Sequence, residues 1–288
     1  MTDPCRNPEN ERLEIRLLLE CIFQKSGFDF RDYAFAHIKR RLEHVRKRHE
    51  LASFSEMTHR LIYDPDFFEA VLTSLSINVT EMFRDPSFYL AVRDKVFPLL
   101  KTYPFIRIWH AGCATGQEVY SLAIMLQEDG LKERSQIYAT DINAPILDAA
   151  KQAIYPLSVV KQYTANYQKA GGTSSFSDYY SARYESASIV HSLKKDILFS
   201  LHNLATDGVF GEMNLIFCRN VLIYFNETLQ NRVVKLFRDS LCSGGFLCLG
   251  SKESLRFSRY AEDFEVIDAR EKIYRKRRRR TESEVTEP

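Results

Sequence analysis

The segment from Ile106 to Gly116 constrains the fold more than any other part of the sequence. Its apolar residues predict a strand at Phe105–Trp109, which runs into a loop of small residues where Gly112 allows a ligand to approach the backbone closely. The pattern of Gln117–Gln127 then predicts a helix, whose first N–H groups have no partner within the helix. This unit predicts a nucleotide-type site with Gly112 as a contact, although a tight turn without a ligand fits the same residues.

Strand and helix patterns alternate through the rest of the chain. Further strands are predicted at Gln136–Thr140, Asp196–Leu201, Leu215–Cys218 and Gly245–Leu249, and further helices at Ala144–Ala153 and Glu227–Leu241. The alternation predicts an α/β fold with a doubly wound sheet. A Gly-Gly turn followed by aromatic and β-branched residues predicts a small antiparallel insertion at about 171–195. Phe264–Ala269 and Lys272–Arg275 predict a terminal antiparallel hairpin, which is typical of methyltransferases more than of dehydrogenases.

The N-terminal region has a different pattern. From Leu13 to Leu75 apolar residues recur at helical spacing, which predicts an all-helical bundle of three or four helices. Gly27 should end the first helix, and Asp66 should be the N-cap of the last one. We therefore predict a helical domain at residues 1–76, a linker at 77–86 that contributes to the site, a larger domain at 87–276 and a disordered charged tail at 277–288.

Composition and charge bear on the class of protein. The 288 residues include 40 Lys plus Arg against 38 Asp plus Glu, and a formal net charge of +2 does not indicate a nucleic-acid-binding protein. The 6 cysteines include no C-x-x-C pair, which argues against a zinc site and a disulfide framework, so no metal is expected. No apolar run approaches the roughly 18 residues of a spanning helix, and no secretion signal is evident at the start. We expect a cytoplasmic protein that does not insert into a membrane.

Asp141, at the end of the second predicted strand, narrows the choice of ligand. An acid at that place accepts hydrogen bonds from both hydroxyls of a ribose. The loop lacks the spacing G-x-G-x-x-G, which favours an adenosyl ligand without a pyrophosphate, such as S-adenosylmethionine, over a dinucleotide. Glu118 would repel a pyrophosphate and could pair with the ammonium or hydroxyl groups of S-adenosylmethionine. Its alternative role is a favourable interaction with the helix dipole.

Four strings carry a resemblance to a known family. They are Asn78–Asp85 (NVTEMFRD), Ala111–Glu118 (AGCATGQE), Ala139–Ile142 (ATDI) and Cys218–Phe225 (CRNVLIYF). In this order they resemble the chemotaxis-receptor methyltransferase (CheR) family over nearly the whole chain. The resemblance implies a Rossmann-like class I methyltransferase sheet preceded by an all-helical domain. It also implies an enzyme that transfers a methyl group from S-adenosylmethionine to glutamate side chains on chemoreceptor cytoplasmic helices, and releases S-adenosylhomocysteine, in chemosensory adaptation.

The resemblance also implies which residues hold the cofactor. They are Asn78, Thr80 and Arg84 from the linker, Glu118 and Asp141, Asn203 and Leu204 beside the adenine, and Cys218, Arg219 and Asn220 at the end of a strand. The chain departs from the family pattern at three places. Met82 stands where the family usually has Phe, and Gln117-Glu118-Val119 stands where it has Glu-Glu-Pro. Ser251-Lys252-Glu253 stands where it has His-Ser-Glu. The last departure alters the rim of the site.

The expected chemistry requires little of the protein. A glutamate carboxylate, with an ordinary pKa of about 4.3, is already a nucleophile at neutral pH and needs no general base. We hypothesise that Arg84 and Tyr224 orient the incoming carboxylate; a linker salt bridge and a packed core aromatic are their alternative roles. Cys218 follows Phe217 rather than the Pro that precedes a nucleophilic cysteine in some cytosine methyltransferases, so a buried thiol is predicted.

Two surfaces are candidates for contact with a receptor. A predicted helix face carries Lys39, Arg40, Arg41, Arg46, Lys47 and Arg48 with a single acid, Glu43, and would attract an acidic receptor bundle unless it is simply solvated. The insertion at 171–195 resembles the small β-subdomain of the family, which would either bind a receptor-tail peptide by strand addition or only cover the pocket. Two alternatives remain: a methyltransferase for nucleic acid or a small molecule, and a cofactor-sensing module without turnover, in which Gln117 and Lys252 mark a decayed site.

Overall fold

The computed structural model describes residues 7–75 and 80–278, and the chain divides into two compact units. The first unit contains Met1–Ile77 and Ile223–Gln230, and the second contains Asn78–Leu222 and Asn231–Pro288. In this division Ile223–Gln230, which lies within the predicted larger domain at 87–276, groups with the helices. Asn78 and the predicted tail beyond Arg278 lie outside the described residues.

The first unit is helical, as predicted. Its helices are α1 (Pro8–Ser26), α2 (Phe35–Arg48), α3 (Phe54–Tyr63) and α4 (Pro65–Leu75). Gly27 ends α1 in the left-handed conformation, with φ 75°. The prediction of Asp66 as the N-cap of α4 is wrong, because the Asp64 Oδ1 accepts the hydrogen bond from the Phe67 N–H at 2.9 Å. Pro65 lacks an N–H and has a fixed φ, so it takes the first helical position and Asp64 becomes the cap.

The second unit is α/β. In chain order its elements are α5 (Pro86–Ala91), a π-helical turn (Val92–Val96), α6 (Phe97–Leu100), β1 (Ile106–Ala111), α7 (Gln117–Glu128), β2 (Ser135–Asp141), α8 (Ala144–Gln152), β3 (Ile154–Pro156), α9 (Leu157–Lys169), β4 (Tyr180–Arg183), β5 (Ser186–Ile189), α10 (His191–Lys194), β6 (Ile197–Leu201), β7 (Met213–Cys218), α11 (Glu227–Ser240), β8 (Leu241–Leu249), β9 (Phe264–Asp268) and β10 (Ile273–Lys276). The first four residues of α11 belong to the helical unit.

The main sheet has the order β6-β2-β1-β7-β8-β10-β9. The first five strands are parallel, and β10 is antiparallel to both of its neighbours. Ile108, Ile137, Leu215 and Phe246 lie side by side across β1, β2, β7 and β8, and all four are buried. Burial of each such side chain stabilises the sheet by about 1.5–3 kcal/mol. The doubly wound sheet and its terminal antiparallel hairpin are thus confirmed.

The insertion is larger than predicted. Its sheet has the order β3-β5-β4, so the insertion begins at Ile154 rather than near Gly171. Tyr155 of β3 pairs with Ala187 of β5, and α9 lies between them in sequence. Only three residues form β3 and the last is Pro156, so this strand has too little alternation to be predicted from sequence.

The described residues contain neither a candidate membrane-spanning helix nor a candidate metal cluster. Among residues 7–75 and 80–278, no helix combines the length and the apolar character that a bilayer-spanning segment needs. Over the same ranges, no group of three or more His, Cys, Asp or Glu residues is placed to hold a metal ion.

Candidate functional site

Asp141 lies at the carboxyl end of β2, where the parallel strands open towards a crevice. Its Oδ2 accepts a hydrogen bond from the Ala114 N–H at 3.0 Å, and its Oδ1 accepts one from the Asn143 N–H at 3.1 Å. Burial raises the pKa of Asp141, and these backbone hydrogen bonds oppose that rise only in part. The carboxylate is fixed against the glycine loop, and each oxygen keeps a lone pair that can accept from a ribose hydroxyl.

The loop between β1 and α7 is as tight as its small residues predict. Gly112 has φ +77°, and a Cβ added there would lie 2.7 Å from the Val221 Cγ2. Ala114 also has a positive φ, 47°, which is an unusual conformation for a residue with a Cβ. The identity of Gly112 therefore has a packing explanation, besides the ligand approach expected from the sequence.

Arg219, a predicted cofactor contact, lies in a buried ion network. Its Nη1 donates to the Glu118 Oε2 at 2.9 Å, and its Nη2 donates to the Asp85 Oδ2 at 2.8 Å. The side chain is 1% exposed, and its guanidinium lies 4.0 Å from the centre of the Phe88 ring. Arg219 thus joins the end of β7, the start of α7 and the linker, and sequence reasoning did not foresee this pairing.

Glu118 remains accessible at one edge despite that pairing. Its side chain is 18% exposed, and its Oε1 lies 3.4 Å from the Nδ1 of His110, a buried residue of β1. Burial alone would raise the pKa of Glu118, but the His110 ring and the Arg219 guanidinium outweigh it and lower the pKa below its ordinary value. Glu118 is therefore a carboxylate at neutral pH.

The described part of the linker is held to the rest of its unit by backbone hydrogen bonds. The Phe83 N–H donates to the Ser121 Oγ at 2.9 Å, and the Met82 carbonyl accepts from the Asn166 side chain at 3.0 Å. The Arg84 carbonyl accepts from Arg219 at 3.4 Å. Thr80 and Arg84 are partly exposed. The contacts predicted for them, and for Asn78, which lies outside the described residues, stay predictions.

Glu253 holds together two loops at the edge of the site. The sequence analysis named it only as part of an altered family motif. Its Oε2 accepts from the N–H groups of Asn220 at 3.0 Å and Gly250 at 2.5 Å, and its Oε1 accepts from the Val221 N–H at 2.8 Å. The residue is 4% exposed. It ties the loop after β8 to the loop after β7, and Asn220 there has φ +61°. The signal in the sequence was a lone acid three residues after the glycine that ends a buried strand.

The other predicted pocket residues follow β7 and β6. Cys218 is fully buried, as the sequence predicted, and burial raises the pKa of its thiol well above the ordinary value. The Asn203 Oδ1 accepts from the Ala205 N–H at 2.9 Å, which closes a turn beside Leu204. The preceding His202 N–H donates to the Asp141 carbonyl at 3.1 Å, so this turn lies at the same edge as Asp141.

Tyr224 belongs to the helical unit. Its carbonyl accepts from the Ala34 N–H at 2.8 Å, and its ring meets the His37 ring edge-on, with the ring centres 5.0 Å apart. These contacts agree with the alternative role of a packed aromatic. The orientation of an acceptor carboxylate by Tyr224 stays a prediction.

The basic face of α2 is smaller than the sequence predicted. Lys39 forms ion pairs with Glu11 and Glu43. The Arg46 Nη1 donates to two backbone carbonyls at 3.1 Å each, and its guanidinium lies 5.6 Å from the Phe54 ring centre. The residues left for a partner are the exposed Arg40, Lys47 and Arg48 and the partly exposed Arg41.

Comparison with known proteins assigns both parts of the chain. Residues 13–76 match the model for the all-alpha domain of CheR methyltransferases, and residues 78–273 match the model for their SAM-binding domain. A Pseudomonas putida protein named "Putative methyltransferase Cher3" is 51% identical over 93% of this chain and 98% of its own length. "Chemotaxis protein methyltransferase 2" is 31% identical in Pseudomonas aeruginosa, over 76% of this chain and 77% of that protein. The Vibrio cholerae protein of the same name is 30% identical over 85% of each.

These matches confirm the resemblance that the four sequence strings carried, the class I methyltransferase fold and S-adenosylmethionine as the cofactor. The buried Asp141 beside the glycine loop fits that ligand, because it offers acceptors to the ribose, and the ionised Glu118 offers one to a cation. This chain belongs to the CheR family of S-adenosylmethionine-dependent chemotaxis methyltransferases.

Proposed function

We propose that this enzyme methylates glutamate side chains on the cytoplasmic helices of chemoreceptors, forms glutamyl methyl esters and acts in the cytoplasm. This is the known role of the family. The observation that carries the proposal is the Asp141 carboxylate, which the Ala114 N–H holds at 3.0 Å beside the glycine loop. Its free lone pairs can accept from a ribose at the carboxyl edge of the sheet, one strand away from the point where the strand order reverses.

Five of the predicted cofactor residues have distinct roles in this proposal. Asp141 accepts from the ribose hydroxyls, and Glu118 uses its exposed edge to accept from the ammonium group. The turn containing Asn203 and Leu204 lies beside the adenine. Arg219 acts indirectly, because its guanidinium is occupied by Glu118 and Asp85 and fixes the carboxylate that meets the ligand.

The cofactor supplies an electrophilic methyl group on a sulfonium. A carboxylate oxygen of the acceptor forms the new bond to the methyl carbon while the carbon–sulfur bond breaks, and the electron pair of that bond stays on sulfur in S-adenosylhomocysteine. An anion and a cation are both neutralised, so surroundings that exclude water favour the step. The protein therefore has to align the acceptor and remove its water, and we assign the alignment to Arg84.

A labelling experiment tests the proposal. The full chain is incubated with methyl-labelled S-adenosylmethionine and a purified chemoreceptor cytoplasmic fragment, and we expect label on the receptor that mild base releases, as it does from a methyl ester. Base-stable label would instead indicate transfer to an amine or a nucleic acid, and cofactor binding without any transfer would indicate a sensing module. Arg84→Ala should reduce transfer severely at unchanged circular dichroism; near-normal turnover would remove Arg84 from the mechanism.

We further propose that Arg40, Arg41, Lys47 and Arg48 of α2 attract the receptor. These side chains are exposed or partly exposed, and the negative charge of the acceptor glutamates would be attracted to them. The three-stranded insertion remains a candidate for binding a receptor tail by strand addition. Titration with receptor-tail peptides distinguishes that role from a cover over the pocket.

A further inference from the structure

The loop that follows β8 exposes a basic and aromatic surface beside the crevice. This rim loop, residues 250–260, contains the departure from the family pattern at Ser251-Lys252. Its outward side chains are Lys252, Arg256, Phe257 and Arg259, all exposed. Phe257 is 81% exposed, against 49% for Phe105 and 44% for Phe210, and it lies among three exposed basic side chains.

The backbone of the rim loop is fixed. At its start Glu253 accepts hydrogen bonds from three backbone N–H groups of the two loops it joins. Leu255 is 2% exposed and anchors the middle. At its end the Asn231 Oδ1 accepts from the Ser258 hydroxyl at 3.2 Å and from the Arg259 N–H at 2.9 Å. The exposed side chains are therefore presented by an ordered loop, and a partner meets a surface that is already formed.

The three basic side chains of the rim loop, Lys252, Arg256 and Arg259, are not neutralised by acids within the described part of the unit. In the described part of the chain, no ion pair involves Lys252, Arg256 or Arg259. Glu262 and Asp263 are the first acids that follow the loop, and Asp263 is paired with Arg238 at 3.1 Å. The Arg256 guanidinium lies 5.6 Å from the Phe257 ring centre, so the charge and the apolar ring form one continuous patch.

The rim loop lies on the opposite side of the crevice from the predicted cofactor residues Asp141 and Gly112. The cofactor residues Asp141 and Gly112 follow β2 and β1, on one side of the point where the strand order reverses, and the rim loop follows β8 on the other. An acceptor glutamate has to enter over the side that the cofactor does not occupy. On the basis of the proposed function, we propose that the rim loop is a docking surface for the acidic helix that carries the acceptor glutamate. Its three cations face carboxylates of that helix, and Phe257 packs on an apolar side chain one turn away.

Methylation of the acceptor glutamate would weaken the binding of the helix to the rim loop. Esterification removes one negative charge from the helix, so the rim loop binds an unmethylated helix more tightly than a methylated one. Discrimination between the two then depends on the cations, whereas the contribution of Phe257 is the same for both.

Steady-state kinetics on the full chain test the proposal, with a chemoreceptor cytoplasmic fragment that the wild-type chain methylates. We expect Arg256→Ala/Arg259→Ala to raise the receptor KM about three- to tenfold at low salt, and less at high salt. Phe257→Ser should raise it about tenfold at any salt, and Phe257→Leu should restore most of the loss. The receptor kcat and the calorimetric Kd for S-adenosylmethionine should stay unchanged. The matched control Lys235→Ala/Arg270→Ala removes two exposed cations elsewhere and should leave the KM unchanged.

The outcomes separate this inference from the proposed function. A wild-type chain that methylates the receptor, with rim variants whose KM stays within twofold of its value, overturns the rim loop as a docking surface and leaves the proposed function standing. A KM that rises equally in the control overturns it as well, because the effect is then general electrostatics. A wild-type chain that labels no receptor overturns both.

Discussion

Replacing Arg219 with methionine tests whether the buried ion network holds the carboxyl edge of the sheet together. The Arg219 side chain is 1% exposed and bridges Glu118 at 2.9 Å and Asp85 at 2.8 Å. Methionine puts an apolar side chain near Phe88 in place of the cation–π contact, and it leaves two carboxylates without their cation. We therefore expect Arg219→Met to lower the free energy of unfolding of the α/β unit substantially.

The magnitude follows from the exposure of the two partners. Removing one member of a buried ion pair costs about 3–5 kcal/mol, because the other charge stays buried. Glu118, with 18% of its side chain exposed, should incur most of that cost, whereas Asp85, at 39%, is screened and should add at most about 1 kcal/mol. Because the native pKa of Glu118 is lowered, its contribution is present above its unfolded pKa and is lost as the pH falls. The difference between wild type and variant should therefore shrink towards acid pH.

Urea unfolding followed by tryptophan fluorescence measures this loss. The chain has a single tryptophan, Trp109, which is fully buried in β1 and so reports on this unit. Lys235→Met is the control, because the exposed Lys235–Asp239 pair at 2.7 Å should contribute less than about 0.5 kcal/mol. The double variant Glu118→Gln/Arg219→Met should cost less than the sum of its parts. An Arg219→Met loss no larger than the control, or strict additivity in the double variant, refutes the reasoning.

Three further predictions follow from the same crevice. Because burial raises the pKa of Asp141, the calorimetric affinity for S-adenosylmethionine should begin to fall, as the pH is lowered, at a higher pH than it would with an ordinary aspartate. Asp141→Asn should bind the cofactor about tenfold more weakly, with an affinity that does not change towards acid pH. A wild-type affinity that is equally independent of acid pH contradicts this prediction. Gly112→Ala should lower the free energy of unfolding by about 2–4 kcal/mol in urea, because its Cβ meets Val221 and its φ is +77°. Adding Val221→Ala to this variant should remove only the steric clash, since the positive φ remains. Full recovery of stability in the double variant would show that φ is unimportant. Glu253→Gln should lower the free energy of unfolding by about 2–3 kcal/mol in the same assay, because the amide nitrogen cannot accept a hydrogen bond in place of a carboxylate oxygen. An unchanged urea midpoint would contradict the role of Glu253 in holding the two loops.

Local patterns predicted the parallel sheet well, because each strand reads as a short apolar run that ends at a loop or a helix. The position of Asp141 was also predictable, since it depends only on the end of β2. What escaped prediction depends on contacts between residues far apart in sequence. Arg219 meets Asp85 across 134 positions, and Glu253 meets Asn220 across 33. Side-chain hydrogen bonds of this kind leave no periodic trace in the sequence.

The charges at the crevice explain why a sulfonium ligand suits it better than a dinucleotide. Asp141, Glu118 and Asp85 carry three negative charges, against two positive charges on Arg219 and Arg84, and Arg219 is already paired. A pyrophosphate would add negative charge beside partly buried carboxylates, whereas an adenosyl ligand with an ammonium group meets Glu118 favourably. Calorimetry should therefore detect S-adenosylmethionine and S-adenosylhomocysteine but neither NAD nor ADP at the same concentrations. Comparable binding of NAD would mean that the shape of the loop, rather than its charge, selects the ligand.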